Sequence, residues 1–459
     1  MQKQPDLGTA PVGKLLARLA LPAITAQVVN MLYNLVDRIY IGHIPTVGTQ
    51  ALTGVGVCFP LIMLVSAFAA LVYSGGAPRA SIAMGKGENA EAERILGSCT
   101  ALLLTLSVIL TVVLTIWNRP LLLLFGASED TILYAEQYMN IYALGTLFVQ
   151  AALGLNAFIT CQGFAKTSML TVLIGAVINT VLDPIFIFAL DMGVQGAALA
   201  TVISQGISAL WVVRFLTSSK TLLRLRPAFL RLNWKLLAPC VALGLSPFIM
   251  QSTESLLAVC FNTSLRTYGG TLAVGTMTIL TSIMQFAMLP LNGLTQASQP
   301  IISYNYGAGK PDRVRRAFWL LLRCAMIYAG VLWATTMVFP QMYIGMFTPD
   351  QELIAYAIPA VRIYMAASLL FGIQLSCQQT FVALGNAKNS LFLAVLRKLI
   401  LLIPLIYLLP ALLPDKVTAV FLAEPVADTI AVTVTVLLFR VKFTACMREM
   451  EERAASQHA

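Results

Sequence analysis

Residues 78–87 read PRASIAMGKG, and residues 300–309 read PIISYNYGAG. At a constant offset of 222 positions, Pro78, Ser81, Gly85 and Gly87 return as Pro300, Ser303, Gly307 and Gly309. The same offset carries Phe125 to Phe347, Tyr134 to Tyr356 and Tyr142 to Tyr364. It also lays Gly163, Ala165, Lys166 and Ser168 on Gly385, Ala387, Lys388 and Ser390. Apolar segments often match one another by chance, but Gly, Pro and Lys do not keep one register that way. The chain reads as two copies of one unit.

Composition says what the unit is made of. The chain is 58% hydrophobic and 11% charged, against roughly 45–50% and about 25% in soluble domains. A soluble protein of this length needs a charged shell, and there is too little charge to make one. Apolar runs of about 20 residues, long enough to cross a bilayer core, recur along the chain. Breaks rich in Gly, Pro and charge separate them. In the first copy they mark helices near 15–42, 51–74, 95–117, 131–160, 168–190 and 194–215. In the second they mark 236–264, 272–293, 315–338, 352–383, 390–410 and 417–439. The expected fold is an all-α polytopic membrane protein, with twelve transmembrane helices in two six-helix lobes related by a parallel internal repeat. Residues 1–217 form the N-terminal lobe, 218–235 a basic linker, 236–445 the C-terminal lobe and 446–459 a tail.

Charge placement orients the chain. The net charge is +10, yet Lys and Arg fall in alternate inter-span loops rather than on one patch, which argues against a nucleic-acid partner. If the termini and the even-to-odd loops are cytoplasmic, the opposite loops hold only Arg119, Arg266 and Lys416. That is the positive-inside bias, so both termini are expected in the cytoplasm of a plasma (inner) membrane protein. The N-terminal segment lacks a small-residue cleavage site and is expected to be retained. The linker SSKTLLRLRPAFLRLNWK (218–235) is either a solvated loop or a strip lying on anionic lipid headgroups. Eight Cys form no CxxC pair and there are two His, so neither zinc spacing nor a disulfide framework is supported. No HExxH, phosphate loop or His-based dyad within a span suggests an enzyme.

Five acids fall within spans: Asp37, Asp183, Glu254, Glu424 and Asp428. An ionised carboxylate at a bilayer centre costs roughly 2.5–3.5 kcal/mol on insertion scales, so such residues usually line a polar cavity. In the first helix Gln27, Asn30, Asn34 and Asp37 make one polar stripe. In the fifth, Asn179 and Asp183 share a face, and Pro184 frees the carbonyl of Thr180. In the sixth, Thr201 and Gln205 lie one turn apart. Together Asp37, Asn179, Asp183 and Thr201 offer a small cation an all-oxygen site, and paired carboxylates carry a proton equally well. The choice between Na⁺ and H⁺ stays open. Asn30, Asn34, Asn156, Gln205 and Glu254 are candidates for substrate binding or coupling. Glu254 stands alone in the seventh helix, and Arg397-Lys398 in the eleventh either snorkel to the interface or pair with a carboxylate. Asp183 falls on Leu405 at the repeat offset, so the cation machinery is expected mainly in the first lobe.

These stretches carry a family resemblance. LALPAITAQVVNMLYNLVDRIYIGHI, ALTGVGVCFPLIMLVSAFAALVYSGGAPRASIAMGKGE, INTVLDPIFIFALDMGVQGAALATVISQ and SQPIISYNYGAGKPDRVRRA resemble the multidrug and toxic compound extrusion (MATE) family. The pattern is nearest to its DinF-like or MepA-like branches. The resemblance implies a central cleft with alternating access and an antiporter that exports amphipathic, often cationic, organic compounds against Na⁺ or H⁺. It implies no cofactor beyond that coupling ion, small organic substrates and membrane lipids as partners, and a monomer. It places the first-lobe cation site at Asp37, Asn179, Asp183 and Thr201, and the seventh-helix acid at Glu254. A tenth-helix carboxylate of some branches is missing from FGIQLSCQQTF, which weakens second-lobe ion coupling. The alternatives are a lipid-linked precursor flippase, which would favour cationic cleft residues, and a dedicated metabolite exporter.

Overall fold

The computed structural model describes residues 6–458, and all regular structure among them is helical. Residues 1–5 of the expected N-terminal end and Ala459 of the expected tail lie outside the described residues. Among the described residues, nine helices are long and apolar enough to cross a membrane, and two bent pairs bring the number of spans to eleven. The 74-residue run Trp234–Gly307 is itself two spans, because Gly270 sits at φ 67° and ψ −155°, outside helical space. That backbone is open to glycine and strained for other residues. Twelve spans result.

In the first lobe these are α1 (Val12–Gly42), α2 (Gly48–Gly85), α3 (Asn89–Ile116), α4 (Ile132–Leu144 and Thr146–Cys161), α5 (Ala165–Ala189) and α6 (Gly193–Thr217). In the second they are α7 (234–269), α8 (271–307), α9 (Pro311–Val338), α10 (Gln351–Tyr364 and Ser368–Ala383), α11 (Ala387–Leu412) and α12 (Lys416–His458).

The repeat is written into the backbone. α2 and α8 end at Gly85 and Gly307, α3 and α9 end at Ile116 and Val338, and α4 and α10 end at Cys161 and Ala383, each pair 222 residues apart. Gly87 and Gly309, then Gly163 and Gly385, take positive φ at matching turns. The Ser81 hydroxyl donates to the carbonyl of Cys161, and its counterpart Ser303 donates to that of Ala383, at 3.5 and 2.8 Å. Residues of one sign of repeat thus hold one backbone geometry twice.

Two spans depart from straight rods. α4 bends by 57° at Gly145 and α10 by 45° around residues 365–367, which are equivalent positions. The sequence reading treated each as a single continuous helix. α5 changes from α to π winding over Ile185–Ala189, directly after Pro184 removes its backbone donor.

The two described ends lie on one side. Asn305 donates to the carbonyl of Leu7, Lys310 to that of Gly8, and Arg315 pairs with Glu451 at 2.7 Å. On this terminal side the lobes meet without gaps. A side chain at Gly85 would overlap the carbonyl of Tyr304, and one at Gly307 would overlap that of Ile82. These contacts are reciprocal under the repeat, so α2 and α8 cross on the pseudo-twofold axis. Gly75 and Gly244 let α2 and α7 approach as closely, and Gly293 does the same for α8 and α1.

Adding a methyl group at this crossing tests its role. Overpacking a tight contact costs about 1–3 kcal/mol. Gly85→Ala or Gly307→Ala is expected to separate the lobes on the terminal side while the six-helix units stay folded. Spin labels at Glu88 and Asp312, both exposed, should report a longer and broader distance in each variant. An unchanged distance distribution would show that the crossing yields locally instead.

Candidate functional site

The first site is built on α1, α5 and α6, which pack against one another. Asn179 and Asp183 sit one turn apart at the far end of α5, and Thr201 reaches them from α6. The Asn179 amide donates to both Asp183 Oδ1 and Thr201 Oγ1 at 3.3 Å. Asp183 is fully buried, and Asn179 and Thr201 nearly so. Asp37 faces Asp183 across the α1–α5 contact. The structure therefore brings together all four residues of the expected cation set.

What these residues lack matters most. Asp37 Oδ1, Asn179 Oδ1 and Asp183 Oδ2 are buried acceptors with no hydrogen-bond partner. Among the described residues, no Lys or Arg forms an ion pair with Asp37 or Asp183. Arg38, next to Asp37, lies over the ring of Phe59 at 5.1 Å. Buried oxygens without donors, in a region of low dielectric, can accept a small cation or a proton.

Asn30 and Asn34 are exposed on α1, and the Asn34 amide donates to the carbonyl of Asn30 at 2.6 Å. Val28, Leu32, Leu35 and Ile39 are exposed as well, on a different stripe of the same helix. In a bilayer the apolar stripe belongs against lipid, and the polar stripe requires a water-accessible cleft. Gln205 is half-buried on α6, within reach of the Tyr33 hydroxyl. Tyr138 of α4 reaches Thr201 in the same way. Neither tyrosine was among the expected site residues. Tyr33 stands one turn before Asp37 on the polar stripe and was legible there, whereas nothing local marks Tyr138. Asn156 is not part of the group. Its amide donates to the carbonyl of Ser168, about four helical turns from Asp183 at the other end of α5.

The second lobe places charge on the equivalent three helices, α7, α11 and α12. Glu254 is not alone, because Lys398 Nζ lies 2.7 Å from its carboxylate. Arg397 pairs with Asp428 at 2.6 Å and with Glu424 at 3.4 Å. Both basic residues belong to a π-wound segment, Leu396–Leu402, so two consecutive cations can face different partners. The Lys398, Arg397, Glu424 and Asp428 side chains are buried, whereas that of Glu254 is 60% exposed. Pairing, one of the two readings left open for Arg397-Lys398, is the one observed. The cluster has three acids and two bases, so it keeps one negative charge in excess.

The chain belongs to the MatE family, whose model matches residues 22–185 and 247–408, one segment in each lobe. It is a multi-pass membrane protein of the MATE multidrug efflux transporter family. It is similar to the multidrug export protein MepA of Staphylococcus aureus, 23% identical over 96% of this chain and 97% of that protein. It is also similar to an FAD transporter of Shewanella oneidensis, 25% identical over 93% and 94% of the two chains. Its fold matches a solved multidrug resistance MATE family transporter in an outward-facing conformation, with a TM-score of 0.90, 23% identity and coverage of 97% and 99%.

The two basic residues of the second lobe should respond differently to removal. Arg397→Gln leaves two buried carboxylates unpaired and should cost about 3–5 kcal/mol, seen as a clear fall in Tm. Lys398→Gln frees a carboxylate that already meets cleft water, so its cost should be about 1 kcal/mol or less. Equal loss of stability in purified variants would contradict the exposed position of Glu254.

Proposed function

We propose that the protein is a secondary active antiporter that exports amphipathic, often cationic, organic compounds in exchange for Na⁺ or H⁺. One observation carries this reading: Asp37, Asn179 and Asp183 each bury an acceptor oxygen without a donor, and among the described residues no Lys or Arg forms an ion pair with either acid. Burying such a group is costly, and a cation or proton from solution removes the cost. Coupling follows if the cation favours one arrangement of the lobes and the substrate favours the other. Asp37 and Asp183 take the coupling ion, Asn179 and Thr201 complete its oxygen shell, and Asn30, Asn34 and Gln205 line the approach. Glu254 presents a carboxylate to the cationic part of a substrate.

The tight crossing of α2 and α8 on the terminal side supports an outward-open state if both termini are cytoplasmic, as the loop charges suggest. The plasma (inner) membrane is the expected location and a monomer the expected form, with small organic molecules and lipids as partners. The MepA relative's name supports multidrug export. A dedicated metabolite exporter is the second reading, supported by the FAD transporter relative. A flippase for lipid-linked precursors is less well supported. It calls for free cationic residues in the cleft, and Arg397 and Lys398 are outnumbered by their carboxylate partners.

One charge returning down about 100 mV supplies roughly 2.3 kcal/mol, enough for a gradient of about fifty-fold in a neutral substrate. Asp37→Asn and Asp183→Asn should each leave a folded, inserted protein, because the amide is isosteric and less costly to bury. Each should abolish gradient-driven dye efflux from proteoliposomes, while Thr201→Ala, which removes one neutral ligand, should only weaken it. Imposing Na⁺ and H⁺ gradients separately identifies the ion. Normal ion-driven efflux by the Asp37→Asn, Asp183→Asn double variant would refute the proposal.

A further inference from the structure

The linker between the lobes is more than a tether. Residues 218–235 contain Lys220, Arg224, Arg226, Arg231 and Lys235 and no acid. The segment is nevertheless held in a fixed shape against the first lobe. Gln162 Oε1 accepts from the Thr221 hydroxyl and from the amides of Leu222 and Leu223, at 2.8, 2.9 and 3.0 Å. Glu93 pairs with Arg226 at 2.8 Å and accepts from the Arg224 amide at 3.1 Å. Gly97 lets the turn at Phe229 rest directly on α3.

Beneath this strap is an apolar crevice of about 170 Å³ between α3, α4 and α6. Leu103 and Leu155 line it, and Leu225 and Leu230 of the linker reach into it from above. Leu104 and Leu147 also line it and are 40% and 39% exposed, so the crevice has a side open to the outer face of these helices. That face of α3 carries Val108, Ile109, Val112 and Ile116, all exposed and all apolar, which puts it against lipid chains.

The order RLRPAFLRL over residues 224–232 therefore separates two chemistries. Leu225 and Leu230 line the crevice, while Arg224, Arg226 and Arg231 beside them are exposed. Glu93 takes Arg226. Among the described residues, Lys220, Arg224, Arg231 and Lys235 have no ion-pair partner. Leu222, Leu232 and Trp234 add exposed apolar groups along the same strip. Trp beside Lys and Arg at the end of a membrane helix is the composition of an interfacial anchor.

We propose that the linker and the crevice below it form a binding site for one anionic phospholipid. An acyl chain enters the crevice between α3 and α4 from the lipid side, and the phosphate headgroup sits among Arg224, Arg231 and Lys220. Apolar burial holds the chain, and charge selects the headgroup. This inference uses neither the coupling ion nor the export substrate, so it stands or falls apart from the proposed function.

The test uses the full-length purified protein with equal amounts of phosphatidylglycerol and phosphatidylcholine in detergent, and counts retained lipids by native mass spectrometry. The wild type should retain one phosphatidylglycerol in clear preference to phosphatidylcholine. Changing Lys220, Arg224 and Arg231 to Gln should remove that preference, at about fivefold for each cation lost. Leu225→Trp, with every cation kept, should fill the crevice and lose the same lipid. Leu104→Trp closes the mouth from an exposed position and decides the matter if Leu225→Trp does not fold. Glycerophosphoglycerol and inorganic phosphate, which lack chains, should not displace the lipid at equal concentration. Retention unchanged in the folded tryptophan variants, displacement by either chainless phosphate, or no preference in the wild type would each overturn the proposal.

Discussion

A carboxylate inside a bilayer must find a cation or a proton, and the two lobes meet that demand in different ways. In the second lobe the chain supplies its own cations, and Arg397 and Lys398 neutralise all but one of three acids. In the first lobe no described Lys or Arg forms an ion pair with Asp37 or Asp183, and both keep oxygens without partners. Insertion scales put the cost of one such charge at roughly 2.5–3.5 kcal/mol. The rest of the molecule is arranged around this difference.

The difference stands on a scaffold that is otherwise duplicated. Helix ends, left-handed glycines, the bends of α4 and α10, and the hydrogen bonds of Ser81 and Ser303 all recur at the same offset. Both charged groups also occupy the same three helices of their lobes, the first, fifth and sixth of six. The fifth is interrupted by π winding in each case, after Pro184 in one lobe and around Arg397 in the other. Extra residues per turn rotate the following side chains relative to the helix before them. In α11 this winding carries Arg397 and Lys398 themselves, whereas in α5 it follows Asn179 and Asp183.

Much of this was legible in the sequence, and the limits have physical causes. Span positions followed from apolar length, and the parallel repeat from Gly, Pro and Lys in one register. The polar stripe of α1 and the Asn179–Asp183 pair followed from helical spacing, because they are local. The partners of Glu254 and Asp428 were not legible, since Lys398 lies 144 residues from one and Arg397 lies 31 from the other. Asn156 shows the limit of a local reading. An amide in a span looks functional from its chemistry, and only the structure shows that this one, on α4, donates to the start of α5 at Ser168, away from Asp183. Bends such as that at Gly145 escape a reading based on length, because both halves remain apolar and helical.

The proposed cation site and the closed contact between lobes share a structural member. α1 carries Asp37 near one end, and near its middle the Ile24 backbone lies against Gly293 of the opposite lobe. The thirteen residue steps between them span about 20 Å of helix. A helix transmits small rigid displacements over such a distance, since its backbone bonds are satisfied internally and its lipid face offers no competing partner. Gly293 leaves no slack at that contact, because a side chain there would overlap the Ile24 backbone. On the proposed function, a cation that joins Asp37 and Asp183 would change how α1 seats against α5, and that change would reach the contact of α1 with α8. Close packing makes such contacts bistable rather than continuously deformable, which is the property a two-state transporter requires.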